Sequence, residues 1–184
     1  GDSDDDTDTP TDKYISLYEQ AAEIRKAEQV INDAVEQSRR NLQKNGIALL
    51  KDGNEKELAQ INFDYDTKIA AIKKREAELL QALQDEEYKV WKQRNPDYKE
   101  RNLQFKSTIT ALPEANAADF AKEYQQAAEY RQQQTDALLN RTLAKYKDFA
   151  DKRKAIEEKF NADIKLLEEN RNKQNGMVVN KAII

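Results

Sequence analysis

The sequence predicts an all-α fold, an elongated antiparallel helical hairpin with a shorter third helix packed at one end in a coiled-coil-like three-helix bundle. Three observations carry that prediction. Long spans contain neither glycine nor proline, apolar side chains recur at steps of three and four, and no stretch alternates with period two. Lys13 to Asn45 is 33 residues without either breaker, Asn54 to Asn95 is 42, and Glu114 to Asn175 is 62. Glycine and proline cost a helix roughly 1 and 3 kcal/mol, so their absence leaves long helices uninterrupted.

The first helix, over about 13–45, has a heptad seam of Leu17, Ala21, Ile24, Glu28, Ile31, Val35, Ser38 and Leu42, with two polar interruptions. Asn45-Gly46 reads as its C-terminal stop, because glycine enters the left-handed region freely. The segment from Gly46 to Gly53 is apolar for a loop. Ile47, Leu49 and Leu50 either plug the end of the bundle or form a partner-binding tip.

Asn54, with Glu57 three residues on, resembles a capping box and opens the second helix. Its seam runs Leu58, Ile61, Tyr65, Ile69, Ile72, Leu79, Leu83 and Val90, with Glu76 and Glu86 on the same stripe. Asn95-Pro96-Asp97 leaves two readings. Pro96 kinks a helix that continues to about 111, or Asn95 caps a separate short helix over 97–110. The kink is preferred, because it makes arms of similar length on either side of Leu112-Pro113. The third helix, over about 113–175, carries Phe120, Tyr124, Ala128, Leu138, Leu139, Tyr146, Phe149, Ile156, Phe160, Ile164 and Leu167, and stops at Asn175-Gly176. A short apolar extension, 176–184, follows.

The spacing of Ile61, Tyr65, Ile69 and Ile72 recurs at Ile156, Phe160, Ile164 and Leu167. In a hairpin turning near Pro113, facing residues sum to roughly 225, which pairs Tyr65 with Phe160 and Ile61 with Ile164.

Composition narrows the function. The 184 residues are 36% charged and 38% hydrophobic, a balance that suits half-exposed helices around a thin core. The net charge of −4 belongs to residues 1–12, where six aspartates and no large apolar side chain predict a disordered acidic tail. Those aspartates lack the mid-loop glycine and closing glutamate of a calcium loop. With neither histidine nor cysteine, Ser–His and Cys–His nucleophiles are excluded, as are disulfides and zinc-thiolate sites. Four scattered glycines cannot build a phosphate loop. The cations Lys145, Lys147, Lys152, Arg153, Lys154 and Lys159 are interleaved with Asp148, Asp151, Glu157 and Glu158, which cancels most of the field a nucleic-acid backbone needs. No apolar run reaches the roughly 20 residues that cross a bilayer. The expectation is a non-enzymatic chain with no cofactor, metal, nucleic acid, membrane contact or small-molecule substrate.

Segments 61–86 and 146–173 resemble helical regions of phage tail tape measure proteins, most closely those of phages and prophages of Bacteroidetes. The likeness rests on Tyr- or Phe-centred, Ile-rich heptads, dense Lys and Glu, and spacers rich in Gln and Ala. It covers roughly residues 14–175. It implies a structural module of a longer protein that acts in tail length determination and assembly. The partners it implies are tail tube or tail chaperone proteins, or a second copy of the chain, in the virion tail or in the bacterial cytoplasm during assembly. The alternative is an adaptor or scaffold coiled coil that binds a protein partner through its seams or the 47–50 tip.

Overall fold

The computed structural model describes residues 16–182, with side chains as far as Asn172. The acidic segment 1–12 and the last two residues of the apolar extension lie outside the described residues. All regular structure among the described residues is helical: α1 (Leu17–Leu49), α2 (Asn54–Arg94), α3 (Glu114–Ala144) and α4 (Ala150–Ala182). The all-α expectation holds, but the number of helices is four rather than three.

The reasons are local. Ser16 caps α1, its Oγ accepting the Glu19 amide at 3.1 Å, so the helix starts four residues later than expected. Gly46 does not stop α1. The helix continues to Leu49, and the Leu50 amide closes the last turn on the Ile47 carbonyl at 3.1 Å. Carrying a glycine inside a helix costs roughly 1 kcal/mol. The extra turn sets Ile47 and Leu50 beside Leu167 and Arg171 of α4. Gly53, at φ 149°, makes the reversal and caps α2. Asn54 is therefore already helical, and its Oδ1 accepts the Thr142 hydroxyl of α3 at 3.1 Å instead of capping.

Pro96 ends α2 rather than kinking it. Having no N–H, it cannot continue the ladder, and Asn95 closes the helix with its amide and its side chain, both donating to the Trp91 carbonyl. A single turn over 97–101 follows, and Asn102, at φ 51°, reverses the chain. Residues 103–110 then run back irregularly along α2, so neither expected reading of this stretch holds. The segment is tied down by Phe105, which is buried, and by Glu87, whose carboxylate accepts the Thr108 amide at 2.7 Å and its hydroxyl at 3.0 Å.

The long third helix is two helices. After Ala144 the backbone tightens into three-residue turns, Lys145 to Thr142, Tyr146 to Leu143 and Phe149 to Tyr146, and α4 starts afresh at Ala150. No breaker residue marks the site. What the chain gains is burial: folding back places Phe160 against Leu58 and Leu138. Farther along, α4 passes through Asn175-Gly176 without stopping and ends at Ala182, taking in most of the expected extension.

These changes reset the register. The α2–α3 pairs Arg75–Glu123, Lys68–Tyr130 and Glu57–Arg141 sum to 198, not 225, because 95–113 is consumed outside the helices. α1 lies antiparallel to α2 on its other side, and α4 runs parallel to α2, with Asp66 meeting Arg171. Ile61 and Ile164 do share one cluster, around Leu58, Leu138 and Phe160 with Leu139 and Leu167. They meet through a parallel neighbour, not through the expected hairpin. Tyr65 is held away from Phe160, under the guanidinium of Arg131 at 4.0 Å and near that of Arg171 at 5.7 Å.

Candidate interaction surface

The seams of α2, α3 and α4 turn inward. Leu58, Ile72, Leu138 and Phe160 are buried, and Ile61, Ile69, Leu79, Leu83, Ile164 and Leu167 are half-buried. The seam of α1 does not, apart from half-buried Val35. No residue of α1 is buried, and Leu17, Ile24, Ile31, Leu42 and Leu49 stand 59–86% exposed. Nine residues make two and a half helical turns, so Ile24 and Leu42 lie diametrically opposite Asp33, and Ile31 opposite Arg40. It is Asp33 and Arg40 that face α2.

The polar face of α1 is held there by bonds rather than by apolar burial. The Tyr18 hydroxyl donates to Asp85 at 2.9 Å, Lys74 pairs with Asp33 at 3.7 Å, and Arg40 donates to the Asp66 backbone carbonyl at 3.0 Å. Between these anchors residues 23–34 are all exposed, and a groove of about 700 Å³ opens against Ala77, Gln81 and Ala82 of α2. Apolar surface faces solvent while polar surface faces the bundle, the reverse of an ordinary amphipathic helix.

The three tip residues divide. Ile47 and Leu50 are half-buried and line a cleft of about 280 Å³ with Phe63, Leu167 and Arg171, whereas Leu49 is 86% exposed and continues the outward seam. Two tip residues therefore pack at the bundle end, and one faces solvent.

Two clusters position α1. At its N-terminus an aromatic knot joins Tyr18, Tyr88, Trp91 and Phe105, with centroid separations of 4.7–6.0 Å. Tyr88 donates to Glu19 at 2.7 Å, and Ser16 stands 3.0 Å from the same hydroxyl. Burial, followed by the bond to Glu19, pushes the Tyr88 phenol far above its ordinary range. Burial, and then Asp85, raises Tyr18. Along α1, arginines from three helices meet an α2 carboxylate and ring: Arg171 pairs with Asp66 at 3.2 Å, Arg40 binds the Asp66 carbonyl, and Arg131 covers Tyr65. Desolvation holds the Asp66 carboxyl above its ordinary range, although Arg171, Arg40 and Arg131 all pull it down.

The seam carboxylates differ as well. Glu28 and Glu86 are exposed, while Glu76 is half-buried and accepts the Tyr124 hydroxyl, whose pKa is raised to about 12 by burial first and that bond second. Among the described residues no three of His, Cys, Asp and Glu gather as metal ligands, and no helix is long and apolar enough to cross a membrane. The cations around 145–159 are exposed alongside their interleaved acids, and Lys152 sits over the Tyr146 and Phe149 rings at 5.5 and 5.6 Å.

The Phe105 contacts and the Asp66–Arg171 pair were not legible in the sequence. The pairs span long separations, and the only local signal was the density of aromatics between Tyr88 and Phe105. Comparison with protein-family models, curated proteins and solved structures finds no match to this chain.

Proposed function

We propose that this chain is a non-catalytic helical module of a phage tail tape measure protein, acting in tail length determination and tail assembly. The observation that carries the reading is the length and continuity of the helices. α1 to α4 hold 33, 41, 31 and 33 residues, joined by short or irregular connections. A helix converts residues into distance at about 1.5 Å each, so α2 alone spans about 60 Å. The job needs no reactive group. The thin core suits it too: among the described residues nine hydrophobic side chains are buried, so the rods separate at the three connections more readily than in a dense globule.

The test is an in-frame deletion of residues 54–144 from the gene in its phage or prophage, with tails measured by electron microscopy. Tails shortened by roughly 140 Å, about 1.5 Å for each removed residue, are expected. Unchanged tails overturn the reading. The second reading, an adaptor or scaffold that binds a protein partner, is favoured by the outward seam of α1 and by Leu49. It predicts tails of normal length.

A further inference from the structure

We infer that the outward seam of α1 is the dimer interface of this chain, and that it pairs antiparallel with α1 of a second copy. The first argument is area. Leu17, Ile24, Ile31, Leu42 and Leu49 are 59–86% exposed in one stripe, leaving roughly 600 Å² of apolar surface open. That is at the top of what a monomer leaves exposed, and near the ≈800 Å² each partner contributes to a standard interface.

The second argument is register. The stripe has coiled-coil periodicity, and Asn45 and Leu49 extend it to the end of α1. When α1 is laid antiparallel on a copy of itself over its full length, facing positions sum to 66. Leu17 then meets Leu49, Ile24 meets Leu42, and Ile31 meets Val35, the one half-buried position of the stripe. The polar interruptions Glu28 and Ser38 coincide in the same way, and the small Ala21 meets Asn45. A parallel pair instead stacks Glu28 on Glu28, a like-charge contact inside the seam.

The third argument is charge. In the antiparallel register Glu28 is bracketed by Arg25 of its own helix, one turn back, and by Arg39 of the second copy, which follows Ser38. The face that pairs with α2 through Asp33, Tyr18 and Arg40 is untouched, so the dimer forms without unpacking the bundle.

This inference does not rest on the tape measure reading, and a mass measurement fails separately from a tail-length assay. The full chain, run by sedimentation equilibrium or light scattering, is expected at twice its 21.3 kDa. The double substitution Ile24→Glu with Leu42→Glu is expected to return it to the monomer mass with the helical circular dichroism intact, because both sites are exposed within one chain. Leu166→Glu, at an exposed position on α4, is expected to leave the dimer unchanged. Orientation is read with cysteines, since the chain has none of its own. Mixed Ile24→Cys and Leu42→Cys chains are expected to oxidise to the 24–42 disulfide. Each sulfur must approach its mate closely, so a parallel pair yields 24–24 and 42–42 instead. A monomeric parent chain, a dimer that survives Ile24→Glu with Leu42→Glu, or same-site disulfides each overturn the inference.

Discussion

α1 and α2 have similar heptad patterns and opposite fates. α2 buries Leu58, Ala59, Ile72 and Tyr88 and touches all three other helices, whereas α1 buries nothing and turns its seam to solvent. The difference lies in what each helix finds as a neighbour. α2 meets α3 and α4 across apolar stripes, so hydrophobic burial sets its rotation. The flank of α2 left for α1 presents Asp85, Gln81, Lys74 and the Asp66 carbonyl, and α1 answers with Tyr18, Asp33 and Arg40. Hydrogen bonds and the aromatic knot orient α1, and its apolar stripe is left over. Periodicity shows that a helix has an apolar face; it does not show what that face meets.

That contrast is broken or sharpened by a graded series. The largest effect is expected at Leu138, which is 2% exposed between Leu58 and Phe160. Leu138→Ala is expected to cost about 3 kcal/mol in urea unfolding. Ile31→Ala in α1, measured at a dilution that keeps the chain monomeric, is expected to stay within about 0.5 kcal/mol. Equal losses at the two sites would mean that α1 turns its seam inward in solution, and the comparison would collapse.

Next comes the cluster that joins α1 to the bundle. Arg171→Ala strands the Asp66 carboxylate, whose side chain is only 15% exposed. The cost expected is about 2 kcal/mol, below the 3–5 of a fully buried pair because some solvent reaches both groups. The pH dependence has a definite sign. Asp66 binds its proton more tightly folded than unfolded, so its contribution to stability is complete below the unfolded value of 3.8 and falls as pH rises through the raised folded value. Removing Arg171 takes away the largest opposing influence, so unfolding curves from acid to neutral pH should fall more steeply in the variant.

A smaller effect is expected in strong alkali. Tyr18, Tyr88 and Tyr124 all bind their protons more tightly in the folded chain, so the stability they contribute is fully present below pH 10. It is lost as pH rises, for Tyr124 through about 12. Ultraviolet titration at the phenolate band should show late-ionising tyrosines, and Tyr88→Phe should remove the latest. Simultaneous ionisation of every tyrosine near 10 would show that the knot is open.

The smallest change is expected at Lys74, whose pair with Asp33 is about half exposed on both sides at 3.7 Å. Lys74→Ala should shift stability by less than about 0.5 kcal/mol, against the larger loss at Arg171. A larger shift would place more of the hold on α1 in its middle than its open groove suggests.

Much of the fold was legible in the sequence, and the misses share a cause. The seam positions of the second and third spans are buried or half-buried as their period required, apart from exposed Glu86 and Phe149. Of the strong breakers, Gly53 turns the chain and Pro113 precedes α3, but Pro96 ends α2 where a kink was expected. Gly46 and Gly176 both lie inside helices, since a single glycine costs a helix only about 1 kcal/mol, and at Gly46 the extra turn brings Ile47 and Leu50 to the bundle end. The break at 145–149 gave no local sign, since its reward is the distant contact of Phe160 with Leu58 and Leu138. At the 47–50 tip periodicity did not separate half-buried Ile47 and Leu50 from Leu49, which faces outward.

The sequence by itself determined that this protein is helical and where its apolar stripes lie, because helix propensity and the 3.6-residue turn are local properties of the chain. Tertiary structure alone decided that the arms fold into four helices, that α4 runs parallel to α2, and that α1 faces the bundle with its polar side. Those choices depend on which distant surfaces compete for the same flank, a competition that neither periodicity nor composition records.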